Sequence, residues 1–440
     1  MNANELNRRD FITKSSIGLV GASTGIITSE VQEATFQHEF PKIKEYRTLG
    51  RTGFKVSDIG CGPAAMNNEN LLKAVLETGV NIIETAEFYG NGNNELLVGR
   101  AIKDFNRDSL FINTKLIITN EDTKETIVAR VRKCLERLNT SYLDGLMLWN
   151  PQKTEELKNP AFHEAFQILK AEGRAKYCGV SCHGSEYPSN ARDNMEIIVT
   201  EAIEDGRYDL ALFVYNYVQR EMGENILKAS ARKNVGTILM KTDPFGKRYL
   251  DLFTQVRTLN SENKPVPEKL RIRYEAILEK QRLGEEFLKS RNLNEISKTS
   301  ASVRFVLDNP AVSSVIISFD NFDDIKEYVS LSGTRLTAGN ISDIETLRNF
   351  YSHLYCRHAC GICQSNCPYN VPVNTIMRYN RYFTSNRQKE AIQKYHNLTG
   401  NKADKCSGCE GYCEAACPYG VSIHALMTLA QNNLDMAVTC

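Results

Sequence analysis

The sequence has almost no net charge and no apolar run of membrane-spanning length. Its 54 Lys and Arg residues nearly balance its 53 Asp and Glu residues, which leaves a formal net charge of +1. A nucleic acid or an anionic membrane would require an excess of Lys and Arg on some face, so neither is expected as a partner. Residues 15–28 are apolar but short and rich in Gly, Ser and Thr, whereas a membrane-spanning helix needs about 20 mostly apolar residues.

The composition is otherwise globular, with unevenly distributed cysteines. The 440 residues are 42% hydrophobic and 24% charged, which excludes a disordered or fibrous chain and allows two or three domains. Thirteen cysteines are present. Five of them stand apart, namely Cys61, Cys134, Cys178, Cys182 and the terminal Cys440. The other eight lie between Cys356 and Cys417, which indicates a dedicated site near the C-terminus.

The N-terminus resembles a twin-arginine export signal. The arginines at 8–9 are followed by Phe11 and Ile12, and the apolar residues 15–28 come next. A positive region before a short apolar one is typical of a signal peptide. We therefore predict a signal over residues 1–30 and export to the periplasm or another extracytoplasmic compartment, with a frayed basic tail as the alternative. No clear Ala-x-Ala site follows, so cleavage and retention as an uncleaved anchor both stay open.

The clustered cysteines form two runs of similar spacing, each ending in Cys-Pro. Their members are Cys356, Cys360, Cys363 and Cys367, then Cys406, Cys409, Cys413 and Cys417. Closely spaced cysteines on a turning loop supply several thiolates to one iron-sulfur cubane. The runs resemble those of a two-cluster ferredoxin, in which each run gives three ligands to its own cluster and the fourth to the other. We therefore predict a 4Fe-4S ferredoxin-type domain over residues 350–435 with two clusters, and the altered gap lengths leave the ligand order open.

Zinc and disulfides are the alternatives for these cysteines. Zinc prefers four ligands per site and would fit both runs. Disulfides form in exported proteins, but Cys-x2-Cys pairs would close small, strained loops. Export by the twin-arginine route favours clusters, because that route carries folded proteins and clusters are built in the cytoplasm.

The middle of the chain alternates short β-branched runs with amphipathic, charged segments. The candidate strands are residues 81–84, 110–114, 143–148, 175–181, 210–216, 236–240 and 313–317. The candidate helices include residues 125–137, 160–171, 189–204 and 221–233. Seven strand–helix alternations, with an eighth strand needed to close the ring, predict an α/β fold, namely a (β/α)8 TIM barrel over residues 45–335. The active site of such a barrel lies at the C-terminal ends of its strands. The charged insertion at 243–298 is interpreted as solvated helices, with a lid over the barrel mouth as the alternative.

Motifs of this region resemble those of the aldo-keto reductase family. The opening residues 46–57 read YRTLGRTGFKVS, and residues 79–90 read GVNIIETAEFYG, with Asn94, Glu95 and Gly99 following. Later strand ends that match are GVSCHG at 179–184, YN at 215–216 and MK at 240–241. The resemblance covers residues 46–331, and the cysteine runs place the chain near the ferredoxin-bearing branch of the family.

The resemblance implies reduction of a small-molecule carbonyl, with a Tyr as general acid beside Lys, Asp and His. Tyr89 and Lys115 occupy the matching Tyr and Lys positions. A phenol has a reference pKa of about 10, so a nearby ammonium is needed to favour the phenolate that proton donation leaves. Glu84 holds the Asp position, keeps its negative charge, and could still pair with Lys115.

The family's His position is occupied by Trp149, the only tryptophan in the chain. An indole N–H donates one hydrogen bond but neither accepts one nor carries charge. Asn150 is a second candidate donor. His183, which follows the fifth candidate strand, is either a replacement for the missing histidine or an ordinary loop residue.

The resemblance also implies binding of NADPH or NADH. Ser181 matches a contact to the nicotinamide amide, and Asn216, Lys241 and Ser318 lie at the other matching strand ends. Leu212 stands where the family has Gln. The family offers backbone N–H groups and basic residues to the phosphates after the last strand, whereas Ser318 here begins the acidic sequence SFDNFDD. Those carboxylates either repel phosphate or cap a helix.

Two functions of different classes follow. The first is an iron-sulfur oxidoreductase acting on a carbonyl or sugar-like substrate, with electrons from the nucleotide or through the clusters, the latter supplied by a redox partner protein. The second is an electron-transfer or assembly subunit whose barrel keeps the fold and a docking surface without nucleotide.

Overall fold

The computed structural model describes residues 39–183, 193–244, 267–293, 295–384 and 387–436. The expected export signal, Cys440 and most of the first half of the insertion lie outside these residues. The described chain from Phe40 onward forms one compact unit, so the barrel and the cysteine segment pack together, and the boundaries given above for the two domains stay predictions. None of the described helices is long and apolar enough to cross a membrane.

Eight parallel strands close into a barrel, as the alternating pattern predicts. An antiparallel hairpin comes first, made of β1 (Tyr46–Thr48) and β2 (Lys55–Ser57). The barrel strands are β3 (Ile59–Cys61), β4 (Ile82–Glu84), β5 (Phe111–Leu116), β6 (Leu143–Trp149), β7 (Ala175–Cys182), β8 (Leu210–Val214), β9 (Gly236–Met240) and β10 (Ser314–Ile317). They hydrogen-bond in sequence order, and β10 pairs with β3 to complete the ring. The predicted barrel is therefore confirmed, and β3 is the closing strand that the alternations required.

Helices surround this ring and continue into the C-terminal segment. Around the barrel lie α1 (Glu69–Glu77), α2 (Asn93–Ala101), α3 (Lys124–Leu138), α4 (Pro160–Ala171), α5 (Met195–Asp205), α6 (Arg220–Lys233), α8 (Glu295–Leu307) and α9 (Phe322–Val329). The insertion contributes α7 (Glu268–Ser290). The C-terminal segment contributes α10 (Ala338–Tyr351), α11 (Val373–Thr384), α12 (Gln388–His396), α13 (Tyr412–Ala415) and α14 (Ile423–Leu434).

The sequence of α3 shows why these segments become amphipathic helices. The Thr123 hydroxyl accepts from the Thr126 N–H at 3.3 Å, and the reciprocal bond completes a capping box. Ile127, Val131 and Leu138 recur at helical spacing and are fully buried against the barrel. Asn139 ends the helix in the left-handed conformation at a φ of 49°.

The hairpin closes the amino end of the barrel. Leu49 and Val56 are fully buried and join the interior side chains Phe111 and Met147 in one core. At the turn, Gly50 has a φ of +50°, and a Cβ there would lie 2.2 Å from the backbone nitrogen of Gly236. Only glycine allows this approach without displacing the start of β9. The opposite end of the barrel, where strands end, is the open one.

The insertion helix α7 braces the C-terminal segment. It buries Leu270, Tyr274 and Ile277 in a second core shared with α10 and α14. The interpretation of the insertion as solvated helices is therefore wrong for α7, because one face is apolar at helical spacing and is covered. The rest of the insertion, residues 245–266, lies outside the described residues.

Replacing Leu49 by Ala tests the hairpin as part of the barrel core. The change leaves a cavity in a fully buried site, so the free energy of unfolding should fall by about 2–5 kcal/mol, measured by urea unfolding. Ile197→Ala on α5 is the control, since that side chain is 49% exposed, and it should change stability by about 0.5 kcal/mol or less. Equal effects of the two substitutions would contradict the packing described.

Candidate active site

A cavity of about 990 Å³ opens at the carboxyl ends of the strands. The sequence-predicted residues that line it are Glu84, Tyr89, Trp149, His183, Lys241 and Ser318. The other four, Lys115, Asn150, Ser181 and Asn216, are buried behind this lining. The barrel thus brings residues from distant parts of the sequence to one end, as parallel strands of a closed ring must.

Lys115 is the centre of the first group. Glu84 pairs with Asn113 across β4 and β5, and Lys115 lies two residues further on the same face. The Lys115 Nζ forms an ion pair with Glu84 Oε1, donates to the Thr85 carbonyl at 2.9 Å, and lies 4.5 Å from the centroid of the Tyr89 ring. The longer carboxylate of Glu84 therefore still reaches the lysine.

The electrostatics of Lys115 follow from its burial. The side chain is 1% exposed, and this burial holds the pKa of Lys115 well below its ordinary value. The adjacent Glu84 carboxylate favours the charged ammonium form. An ammonium against Tyr89 stabilises a negative phenolate there, which is the condition for Tyr89 to give up a proton.

Trp149 and His183 form a second group on the same cavity. The Trp149 indole N–H donates to His183 Nε2 at 3.1 Å. Burial, then the positive charges of Arg378, Lys241 and Lys115, hold the pKa of His183 well below its ordinary value. The ring is therefore neutral, and because Nε2 accepts a bond, the proton is on Nδ1. No described residue gives Nδ1 a hydrogen-bond partner.

Asn150 supports His183 rather than lining the cavity. Its Oδ1 accepts from the His183 backbone N–H at 3.3 Å, and its own N–H donates to the Ser181 carbonyl at 2.5 Å. The backbone turns here at a positive φ of 51°, a conformation that asparagine tolerates well. The structure thus places Asn150 as a positioning residue, not as a donor facing substrate.

Of the four residues expected to contact a nucleotide, Lys241 and Ser318 line the cavity, whereas Ser181 and Asn216 do not. The Ser181 hydroxyl is buried without a hydrogen-bond partner among the described residues. The Asn216 amide donates to the Lys241 carbonyl at 3.0 Å and to the Tyr355 hydroxyl at 3.1 Å, while its oxygen accepts two backbone N–H groups. The Ser318 hydroxyl donates to the Gly62 carbonyl at 3.4 Å. Asn216 is thus engaged in joining β8 to the C-terminal segment.

Asn321, among the acidic residues after β10, is the N-cap of α9. Its side chain accepts from the Asp323 and Asp324 N–H groups at 2.9 and 3.1 Å. The Asp324 carboxylate accepts from the Asp320 N–H at 2.7 Å and from the Asn321 N–H at 3.3 Å, whereas Asp323 pairs with Lys326 at 3.3 Å. Of the three carboxylates, that of Asp324 takes part in capping, and the N–H groups that could hold a phosphate are already bonded.

The C-terminal segment supplies cavity residues that the sequence patterns do not single out. These are Arg378, Arg381, Tyr382, Thr384, Arg387, Glu390 and Lys394. Arg378 and Tyr382 share a face of α11 because they lie four residues apart. Their helical spacing is visible in the sequence, but their position over the barrel depends on tertiary packing.

The two cysteine runs lie close to each other. After burial as the main cause, the charges of Cys360, Cys363 and Cys417 raise the pKa of Cys356, and those of Cys413, Cys367 and Cys409 raise the pKa of Cys406 to about 12. Cys413 and Cys417 likewise raise the pKa of Cys363. Thiols of each run therefore neighbour thiols of the other.

Backbone and side-chain N–H groups point at several of these sulfurs. Cys356 Sγ accepts from the Asn374 amide at 3.3 Å, and Cys367 Sγ accepts from the Val371 N–H at 3.4 Å. All twelve cysteines among the described residues are free thiols. Within the same residues, no group of three or more His, Cys, Asp or Glu side chains is placed to hold a metal ion. The cluster ligands therefore stay a prediction.

The four scattered cysteines are core residues. Cys61, Cys134, Cys178 and Cys182 are all buried among apolar side chains. Burial raises the pKa of the Cys61, Cys134 and Cys178 thiols. These four thiols therefore contribute to packing of the core.

The first cysteine run touches the barrel site directly. The Gln219 side chain donates to the His358 carbonyl at 2.8 Å and accepts from its N–H at 2.7 Å. The His358 ring hydrogen-bonds the backbone of His183. His358 lies between Cys356 and Cys360 in sequence, so one residue separates this contact from either cysteine.

Comparison with known proteins supports the resemblance to the aldo-keto reductase family. The model of the aldo/keto reductase family matches residues 62–349, more than half of the chain. An uncharacterized oxidoreductase and an aldo-keto reductase of Bacillus subtilis, YqkF and YhdN, are each 24% identical, over 68% and 69% of this chain and 95% and 93% of theirs. A putative voltage-gated potassium channel subunit beta of Schizosaccharomyces pombe is 32% identical over 33% of this chain and 47% of its own length.

A solved aldo-keto reductase from Bacillus halodurans, in its holo form, shares the fold. It superposes with a TM-score of 0.50 at 22% identity, over 69% of this chain and 96% of its own. The cysteine runs lie beyond the family match, which ends at residue 349. The chain is an oxidoreductase that belongs to the aldo/keto reductase family.

Proposed function

We propose that this protein is an iron-sulfur oxidoreductase that reduces a carbonyl or sugar-like substrate in the cavity at the barrel mouth. The observation that carries the proposal is the Lys115 ammonium held by Glu84 against the Tyr89 ring. A phenol that lines the cavity, with a buried cation and its paired carboxylate against it, forms a proton donor for a substrate oxygen.

The chain's own residues supply one proton. Tyr89 gives its phenolic proton to the carbonyl oxygen, and Lys115 stabilises the phenolate that remains. Trp149 and His183 line the same cavity, joined by the bond from the indole N–H to His183 Nε2. This pair occupies the place of the histidine expected at the Trp149 position.

Electrons for the carbonyl carbon have two candidate sources. A bound nicotinamide would supply a hydride, which with the Tyr89 proton completes the reduction. Reduced 4Fe-4S clusters would supply two electrons one at a time, and the carbon would then take a second proton from solvent. The bonded Asn216 amide and the capped start of α9 favour the cluster route. We propose Cys356, Cys360, Cys363 and Cys417 as the ligands of one cluster, and Cys367, Cys406, Cys409 and Cys413 as the ligands of the other. The thiol chemistry and the N–H···S bonds to Cys356 and Cys367 support these ligand sets. Each set would have to close around its cluster, because no group of three such side chains in the described part of the chain is placed to hold a metal ion.

The second candidate function is an electron-transfer or partner subunit without nucleotide. The same bonded Asn216 and capped α9 favour it, and the fungal relative is named as a putative channel subunit. The match to that relative covers less than half of its length. For either function we propose export by the twin-arginine route, on the arginines at 8–9 and the apolar residues after them.

Tyr89→Phe tests the proton donor. Removing the hydroxyl should lower turnover by about 100-fold or more, measured anaerobically with an aldehyde panel and either NADPH or reduced viologen as donor. Tyr142→Phe is the control, because that hydroxyl bonds Asp108 at 2.6 Å outside the cavity. Iron content should stay the same in both variants. Unchanged turnover in Tyr89→Phe would remove this residue from the chemistry.

Nucleotide titration separates the two electron routes. Because the N–H groups at the start of α9 are already bonded, NADPH and NADH should bind the anaerobic protein only at about millimolar concentration. Binding is measured by the fluorescence of the nucleotide. Dithionite should nevertheless bleach the visible absorption of the protein. Binding at about micromolar concentration would instead assign the hydride to the nucleotide.

Iron and sulfide analysis tests the crossed ligand sets. The anaerobic protein should contain about eight iron atoms per chain, and Cys417→Ser should lose about four of them. Cys356→Ser should lose the same four, because both thiols belong to one proposed set. Cys134→Ser, a buried core thiol, should keep all of the iron. Stoichiometric zinc in place of iron would overturn the assignment.

A further inference from the structure

One side of the cavity is lined by four aromatic rings that touch in series. Phe88 and Tyr89 come from the turn after β4, Trp149 ends β6, and His183 follows β7. All four line the cavity. The Phe88 ring centroid lies 5.0 Å from that of Tyr89 and 4.8 Å from that of Trp149, and the Trp149 centroid lies 5.4 Å from that of His183. We call these four rings the aromatic wall.

The rings of the aromatic wall meet edge to face. The angle between ring planes is 77° for Phe88 and Tyr89, 62° for Phe88 and Trp149, and 69° for Trp149 and His183. The quadrupoles of aromatic rings favour this arrangement. Phe88 and Tyr89 are partly buried, whereas Trp149 and His183 are buried. A ligand in the cavity therefore meets chiefly the rings of Phe88 and Tyr89.

A tight turn places Phe88 beside Tyr89 at the cavity. The Tyr89 N–H donates to the Ala86 carbonyl at 3.1 Å, and the Asn91 N–H donates to the Phe88 carbonyl at 3.2 Å. Gly90 and Asn91 then adopt left-handed φ angles of 55° and 54°, which glycine and asparagine tolerate better than other residues. A substrate whose oxygen reaches the Tyr89 hydroxyl therefore lies next to Phe88.

The charged side chains elsewhere in the cavity lining are of both signs. Examples are Lys241, Arg381, Arg387, Asp320, Asp324 and Glu390. Because both signs are present, charge alone does not define a class of ligand here. The series of rings, in contrast, offers one kind of contact over one side of the cavity.

We propose that the carbonyl substrate carries a flat aromatic ring next to its carbonyl group, and that Phe88 determines this specificity by packing against the ring. The assignment rests on the proposed reaction at Tyr89, whose hydroxyl fixes where the carbonyl oxygen lies. Aromatic rings attract one another beyond the burial of their apolar area. A saturated ring of similar size lacks this attraction, so the two kinds of ring can be told apart by binding.

Binding of two matched amides to the full-length anaerobic protein tests the aromatic wall apart from turnover. Benzamide and cyclohexanecarboxamide share the carbonyl group and the ring size, and no electron donor is present. Affinities are measured by calorimetry, and the fluorescence of Trp149, the only tryptophan, reports whether the probe occupies the cavity. Benzamide should bind about fivefold to tenfold more tightly and change the Trp149 emission. Equal affinities of the two amides, or tighter binding of glucose than of benzamide, would overturn the proposal.

Phe88 variants identify the ring that is responsible. Phe88→Leu keeps an apolar side chain without a ring, so it should weaken benzamide about fivefold and leave cyclohexanecarboxamide unchanged. Phe88→Tyr keeps the ring and should retain the preference, which separates loss of the ring from a folding defect. Phe350→Leu is the control, because Phe350 packs against Phe287 of α7 outside the cavity. A preference for benzamide that persists in full in Phe88→Leu would contradict the proposed role of Phe88.

Two outcomes keep this proposal apart from the proposed reaction. If benzamide is preferred as expected while Tyr89→Phe keeps full turnover, the aromatic wall stands and the reaction at Tyr89 fails. If Tyr89→Phe loses turnover while the two amides bind alike, the reaction stands and the proposed specificity is wrong.

Discussion

The buried ion pair between Lys115 and Glu84 is the interaction on which the site depends. A lysine with 1% exposure loses its hydration, and leaving it without its carboxylate costs about 3–5 kcal/mol in comparable buried pairs. The parallel pairing of β4 and β5 sets the two side chains on one face at the end of the barrel. Tyr89, in the turn that follows β4, then lies with its ring against the ammonium. The acid chemistry that we propose for Tyr89 therefore depends on how one buried charge is matched.

The cavity is composite, because the barrel alone does not enclose it. The Tyr355 hydroxyl binds Asn216, the His358 backbone binds Gln219, and Arg378 reaches the His183 carbonyl. These contacts place the first cysteine run behind His183 and the basic face of α11 along the cavity. A loss of the C-terminal segment would thus change both the electron route and the charge that a substrate meets. The insertion helix α7 shares a core with this segment and helps to hold it there.

Much of the barrel could be predicted from the sequence, since its strands are continuous β-branched runs between amphipathic helices. The closing strand β3 was not predicted, because its residues Ile59, Gly60 and Cys61 include a single β-branched side chain. Tyr89, Lys115 and Glu84 could be placed because each follows or ends a recognisable strand. The sequence could not predict that Asn150 bonds the His183 backbone or that the Asn216 amide bonds Lys241 and Tyr355. Both outcomes depend on which neighbours the fold brings to these amides. The lining of the cavity by Arg378 and Arg381 is likewise a tertiary feature, formed only when α11 packs against the barrel.

The central claim is that a proton-donating cavity and two cluster sites are joined in one compact unit. Anomalous diffraction at the iron absorption edge, from crystals grown anaerobically, tests it most directly. We predict two compact iron peaks, one bounded by Cys356, Cys360, Cys363 and Cys417 and the other by Cys367, Cys406, Cys409 and Cys413. Single-atom peaks at the zinc edge, or no anomalous scattering near these thiols, would contradict the account.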